Sequence, residues 1–265
     1  MEMQNWKHTL LPYNQAVDEL KVKFKSIRKE FIALDEYSPI EFVTGRVKKI
    51  SSILEKAQRK NIPAEEIEEK VEDIAGIRIM CQFVEDIHKV IEIIRARDGK
   101  DLIVAEERDY ITNIKPSGYR SYHIIIKYPV QTGHGEKWIF AEIQIRTLSM
   151  NFWATIEHSL NYKYKQQIPT EIKQQLKLAA DAAFNLDEQM LEIKDEIKDA
   201  QKLFEIKSDI ISNIMSRVLT LHSLGKNAEA SRYEILLNKL LEDGEVFELT
   251  NLLQAINRDI EKFRD

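Results

Sequence analysis

The chain has 265 residues, 43% of them hydrophobic and 31% charged, with 8 Gly, 6 Pro and one cysteine. That balance supports a buried core and long helices and argues against disorder, while a single cysteine, Cys81, excludes an intrachain disulfide and suits a reducing compartment. The net charge of −5 gives no bulk reason to expect nucleic-acid binding, yet residues 171–265 hold 13 basic and 19 acidic side chains against 26 and 25 in the remainder, so local basic clusters carry weight in the first part.

The opening MEMQNWKHTL has no apolar core of a leader, and no run approaches the roughly 18 apolar residues of a membrane span. A cytoplasmic protein with no membrane partner is expected. From Asn14 to Leu34 the apolar positions Val17, Leu20, Phe24, Ile27 and Phe31 recur at three- and four-residue steps, which predicts a helix. Ser38-Pro39 ends it, because a residue before proline is pushed out of the helical region. A second helix is predicted over about Gly45–Arg59, and Pro63 opens a short acidic one. Strands are predicted at Ile77–Phe83, Leu102–Glu106, Tyr119–Tyr128 and Trp138–Arg146, the last two as an antiparallel pair joined through Pro129 and Gly133-His134-Gly135. A helix at Asp86–Ala96 interrupts them. From Leu148 onward the pattern is helical: a long helix at Glu171–Phe204, then Ile206–His222, Ala228–Leu241 and Val246–Phe263, with Gly225 and Gly244 at breaks. Helices, then strands, then helices read as an α+β domain with a helical tail.

Strand side chains alternate between faces. Over Trp138–Arg146 one face carries Ile139, Ala141, Ile143 and Ile145 and suits a core. The other lines up Phe140, Glu142, Gln144 and Arg146: an aromatic, a carboxylate, an amide and a guanidinium. The segment Lys115 to His123 sets Tyr119, Ser121 and His123 on one face, where Tyr119 can stack on a base and Lys115, Arg120 and His123 can meet phosphate. Asp73, at a strand entrance, is placed as a Mg²⁺ ligand would be in phosphoryl-type transfer, though by itself it reads first as a helix-end charge next to a turn glycine. Lys48, Ser52 and Lys56, spaced i, i+4, i+8, share one helical face just after Arg46. Lys21, Lys25 and Arg28 make a similar basic line on the first helix; such lines are more often solvated faces than sites. No G-x-x-x-x-G-K-[ST], no G-x-G-x-x-G, no Cys/His zinc spacing and no His-Asp dipeptide occurs.

Glu72-Asp73-Ile74-Ala75-Gly76-Ile77-Arg78, Lys115 to His123, Glu142-Ile143-Gln144-Ile145-Arg146-Thr147 and Asn151-Phe152-Trp153-Ala154-Thr155-Ile156-Glu157-His158 together resemble the synthetase domain of the (p)ppGpp synthetases. With Glu41-Phe42-Val43-Thr44-Gly45-Arg46-Val47-Lys48, the chain resembles the small alarmone synthetases over about residues 6–204. The resemblance implies a nucleotidyltransferase-like mixed sheet flanked by helices in 1–204, followed by a helical extension in 205–265. It implies Mg²⁺-dependent transfer of pyrophosphate from ATP to the 3′-hydroxyl of GDP or GTP, with GMP an open third acceptor. Asp73 and Glu142 would hold Mg²⁺, and Glu142 would take the hydroxyl proton. Arg46 and Arg78 would sandwich adenine, while Lys48, Ser52 and Lys56 would hold the ATP phosphates. Tyr119 would stack on guanine with Asn151 reading its edge. Arg108, Lys115 and His123 would face the acceptor phosphates, and Gln144 is placed with the same acceptor. The resemblance also implies a homotetramer, an allosteric (p)ppGpp site at Lys21, Lys25, Arg28, Glu41, Phe42 and Thr44, single-stranded RNA as a partner of some members, and synthesis without hydrolysis. The competing readings are a nucleotide-adding enzyme, which wants paired aspartates absent near Asp73, and a catalytically silent nucleotide or RNA sensor, against which an intact Asp73 and Glu142 argue.

Overall fold

The computed structural model describes residues 6–163 and 169–264; the first five residues of the MEMQN opening lie outside them. Helix α1 (Trp6–Ala33) leads into strand β1 (Phe42–Val47), helix α2 (Ile50–Arg59), a 3₁₀ turn at Ala64–Glu66, helix α3 (Ile67–Lys70), strand β2 (Ala75–Cys81) and helix α4 (Val84–Arg95). Strands β3 (Ile103–Asp109), β4 (Tyr122–Thr132) and β5 (Gly135–Thr147) follow, then helices α5 (Leu148–Lys163), α6 (Thr170–Ser223), α7 (Asn227–Asp243) and α8 (Val246–Arg264). Contacts divide the chain into two compact units, residues 1–191 and 192–265. The expected boundary at 204/205 falls inside α6.

The first unit is built on a five-stranded sheet in the order β1-β2-β5-β4-β3. Only β2 and β5 run parallel; the other neighbours are antiparallel, so the sheet is mixed, as the resemblance implied. Alternation decides its two faces. Ile77 and Ile79 of β2, Ile124 and Ile126 of β4, and Ile139, Ala141, Ile143 and Ile145 of β5 are buried in one core with Leu20 and Phe24 of α1 and Ile87, Val90 and Ile94 of α4. The opposite face carries the polar residues of β5 and β2.

Several predicted elements differ, among them the strand expected from Tyr119, which begins at Tyr122. Residues 42–47, whose second half was assigned to a helix, form an edge strand paired with β2. Val43, Thr44 and Val47 are β-branched, and pairing with β2 supplies the backbone hydrogen bonds a helix would otherwise give. Gly45 allows the close approach: a Cβ there would lie 2.8 Å from Ile77 Cδ1 and 3.0 Å from Val17 Cγ1. Pro129 sits inside β4 rather than in the turn, opposite Trp138. The β3 pairing ends at Lys127, so from there β4 has one hydrogen-bonding neighbour and tolerates a residue without an N–H. Finally, the helices separated at Glu205 are one helix, α6; no glycine or proline interrupts Phe204-Glu205-Ile206.

The second unit has its own core. Ile214, Val218 and Leu221 of α6 pack with Ala230, Tyr233 and Leu237 of α7 and with Leu249, Leu252, Ile256 and Ile260 of α8. Of the other large apolar side chains on these helices, Met215, Leu219 and Leu241 are exposed. Tyr233 donates to Asp259 Oδ2 at 2.7 Å, tying α7 to α8. Ile256 is fully buried, and Ile256→Ala is expected to cost about 2–5 kcal/mol of local stability. Native-state hydrogen exchange should then show α7 and α8 amides exchanging faster; unchanged rates would mean the packing is not what holds these helices.

Candidate active site

The polar face of the sheet opens into a cavity of about 430 Å³. Its wall is assembled by register. Gly76 of β2 lies opposite Glu142 of β5, and Arg78 opposite Gln144. On the other side of β2, Arg46 pairs with Gly76 and Thr44 with Arg78. On the other side of β5, His123 pairs with Gln144. Lys48 and Asp73 close one end, and Ala154, Glu157 and His158 of α5 another.

Asp73 stands just before β2. Lys48 pairs with its Oδ2, and Lys56 Nζ lies 2.8 Å from Oδ1. Burial alone would raise this carboxyl; the two ammonium groups outweigh it and hold Asp73 below the usual carboxylate range. Lys48 precedes α2 instead of lying on it, and its backbone N–H donates to Ile74 O at 2.8 Å. The expected basic line therefore converges through Lys48 and Lys56 on one acid. Ser52 lies on α2 and is not part of the cavity wall.

Glu142 is only 8% exposed. Burial pushes its carboxyl up, but hydrogen bonds from His123 and Gln144 bring it below the usual range, against the opposing charge of Asp73. His123 Nδ1 is 2.9 Å from Glu142 Oε1, and Gln144 Nε2 donates to Glu142 Oε2 at 2.7 Å. The Tyr119 hydroxyl is 2.8 Å from His123 Nε2. Arg146 Nη2 donates to that hydroxyl at 2.9 Å and also to Gln144 Oε1. A closed ring results, Arg146–Tyr119–His123–Glu142–Gln144. Guanidinium can only donate and carboxylate can only accept. A neutral His123 in this ring therefore carries its proton on Nδ1 and accepts from Tyr119 through Nε2.

Tyr119 enters from the loop before β4 and lies edge-on to Tyr110 and His123. Lys115 Nζ sits 4.0 Å from the Tyr110 ring centre and 4.8 Å from that of Tyr119. Burial, partly offset by Glu142, pulls the Lys115 ammonium below its ordinary range. Arg78 is likewise lowered, by burial and then by the neighbouring Arg146 and Arg46. The cavity thus gathers guanidinium groups around two carboxylates.

Of the residues singled out by sequence, Asp73, Glu142, Arg46, Lys48, Arg78, Tyr119 and Gln144 line the cavity; Lys56 joins through Asp73, and His123 through Glu142. Arg108 is held away by Glu72, at 2.7 Å, and Glu106. Asn151 is in the first turn of α5, outside the wall. Thr44, assigned to a regulatory site, lies on the cavity wall, while Glu41 borders a separate apolar groove along α5 and α6.

Two expected phosphate or site contacts are corrected. Arg120 is buried and turns to α6, donating to Gly118 O at 3.2 Å and Ala180 O at 3.3 Å and pairing with Asp181 at 2.9 Å. Ser121 is also buried and donates to Ile145 O at 3.1 Å. Arg146, Tyr110 and Gly76 belong to the site without having been assigned a role; the alternation that exposed Glu142 and Gln144 also marked Arg146.

A family model described as a region found in RelA / SpoT proteins matches residues 45–167. GTP pyrophosphokinase YjbM of Bacillus subtilis (strain 168) is 58% identical over 207 residues, 78% of this chain and 97% of that protein. The structure of small alarmone synthetase 1 from Bacillus subtilis bound to its product pppGpp matches with a TM-score of 0.70 at 59% identity, over 73% of this chain and 98% of that one. The same synthetase bound to AMPCPP matches with a TM-score of 0.65 at 55% identity, over 74% and 99%. With the sheet, the cavity and these likenesses in agreement, the chain belongs to the RelA/SpoT-type GTP pyrophosphokinases, among the small alarmone synthetases.

Proposed function

We propose that this GTP pyrophosphokinase binds ATP and a guanine nucleotide, GDP or GTP with GMP an open third acceptor, in the cavity and moves the β,γ-pyrophosphate of ATP to the acceptor's 3′-hydroxyl, giving ppGpp or pppGpp. The observation that carries this reading is one cavity holding two ionised carboxylates within a ring of cations. The acceptor oxygen bonds to the β-phosphorus, the bond from that phosphorus to the oxygen bridging the α-phosphate breaks, AMP leaves, and the hydroxyl proton passes to Glu142. Its lowered carboxyl is ionised at neutral pH and free to accept.

Arg46 and Arg78, on neighbouring strands, offer planar guanidinium faces to adenine. Lys48 and Lys56 supply charge to the ATP phosphates, with Ser52 next to them on α2. Tyr119 offers a face to guanine, with Lys115, His123 and Gln144 beside it; Arg108 and Asn151, outside the cavity wall, rest on the resemblance for their acceptor contacts. Asp73 and Glu142 fit Mg²⁺: both are hard oxygen donors kept ionised, and that ion typically takes one or two carboxylates, with the rest of its shell from phosphate and water. Among the described residues no third acid, histidine or cysteine completes a cluster with them. Bound there, the ion would neutralise charge developing on the phosphoryl oxygens. Positioning by the side chains named here accounts for the remainder of the rate.

The homotetramer rests on the resemblance; an apolar groove in which Leu148, Phe152, Ile156, Leu186 and Met190 are exposed is a surface that a second copy could cover. The (p)ppGpp site around Lys21, Lys25, Arg28, Glu41, Phe42 and Thr44, and RNA as a partner, rest on the resemblance alone. Among the described residues no helix is long and apolar enough to cross a membrane, which is compatible with the cytoplasmic placement proposed here.

Glu142→Gln keeps the side-chain shape and removes the base. Transfer from labelled ATP to GDP, read by thin-layer chromatography, should fall at least about 100-fold, with ATP binding by calorimetry retained. Surviving transfer would remove Glu142 from the role of base. Incubation with pppGpp and Mn²⁺ should release no pyrophosphate, and clear turnover would show a hydrolytic activity that synthesis alone does not contain.

A further inference from the structure

Arg146 is 3% exposed, and burial pulls its guanidinium below the ordinary range. A buried cation is costly unless its donors are used. Both hydrogens of Nη2 go to neutral acceptors, the Tyr119 hydroxyl and the Gln144 carbonyl. Nε is buried and finds no acceptor. An arginine serving stability alone is expected to satisfy its donors. This one leaves a donor unused while holding two residues of the site.

We propose that Arg146 is a positioning residue for the transfer, joining the tyrosine platform of the acceptor to the carboxylate base through the closed ring. The inference rests on reading Tyr119 as the guanine platform and Glu142 as the base. Register makes it workable. Glu142, Gln144 and Arg146 occupy successive positions on one face of β5, about 7 Å apart for each step of two residues. The hydrogen bonds from Arg146 run to Glu142 through its neighbours, by way of Gln144 on one side and of Tyr119 and His123 on the other. On one side it fixes which end of the Gln144 amide faces Glu142. With the Gln144 oxygen held by Arg146, the amide nitrogen must point at the carboxylate. Without Arg146 the amide can turn over and set an oxygen against Glu142. On the other side it fixes the Tyr119 hydroxyl, and through it the His123 ring that donates to the second carboxylate oxygen. Its guanidinium carbon also lies 5.5 Å from the Tyr119 ring centre, so the same group orients the ring face.

Displacement of reacting groups by about 1 Å costs on the order of 100-fold in rate. In Arg146→Lys and Arg146→Met, kcat/KM for GDP is expected to fall by about that factor, while KM for ATP stays within about twofold. Gln144→Met opens the ring at its other joint with Arg146 intact, and the same GDP-side loss is expected; this variant decides the question should the Arg146 variants fail to fold by circular dichroism. Tyr119→Phe removes only the hydroxyl. Combined with Arg146→Met it should be no worse than Arg146→Met alone, within about twofold, because both cut one circuit. Wild-type kinetics in folded variants, a loss confined to KM for ATP, or losses that multiply in the double variant would each overturn the role. Glu142→Gln, run in parallel, separates the two readings: activity surviving there removes the base, whereas inactivity there with unaffected Arg146 and Gln144 variants removes only the positioning role.

Discussion

Everything at the site depends on the parallel pairing of β2 with β5. It sets Gly76 opposite Glu142 and Arg78 opposite Gln144, and it carries Asp73, at the foot of β2, to the side of the sheet on which Glu142 stands. Parallel strands need a crossover, and α4, β3 and β4 all lie in the chain between these two. The isoleucine-rich core face holds the register, since a slip by one residue would turn Glu142 into the core and Ile143 into the cavity.

Within that frame the site is an electrostatic compromise. Two carboxylates close enough to disfavour each other's charge are both held ionised, by different means. Asp73 is neutralised by the ammonium groups of Lys48 and Lys56; Glu142 is satisfied by donors from His123 and Gln144. The lysines proposed to hold ATP phosphates are therefore already engaged with the acid proposed to hold the metal. Arrival of an anionic polyphosphate with its cation would exchange partners on both sides without creating an unpaired buried charge, which is the costly outcome in such a cavity.

The loop that carries Tyr119 is positioned from beneath. Gly118 has φ of 87°, and a Cβ there would lie 2.6 Å from Ala180 Cβ, so the loop can lie this close to α6 only with glycine at that point. Arg120 then ties the loop to α6, and Trp153 Nε1 donates to Leu176 O at 2.8 Å, tying α5 to α6. The start of α6 is part of the candidate site's foundation, while the end of the same helix supplies Ile214, Val218 and Leu221 to a separate core.

The sequence by itself determined the α+β class, the helical tail, and the polar face of β5, because two-residue alternation and three-to-four-residue periodicity are local properties of the chain. The motifs around Asp73, Tyr119 and Glu142 were legible through their resemblance to the synthetase family, which short contiguous segments are enough to carry. Tertiary structure decided who meets whom. It turned residues 42–47 into an edge strand, because β2 was there to pair with them. It drew Arg120 into α6 and Arg108 onto Glu72, closed the ring through Arg146, and brought Lys48 and Lys56 together on Asp73. Those outcomes depend on strand register and on groups distant in the chain, where the energy of a buried charge is settled by partners that no local pattern specifies.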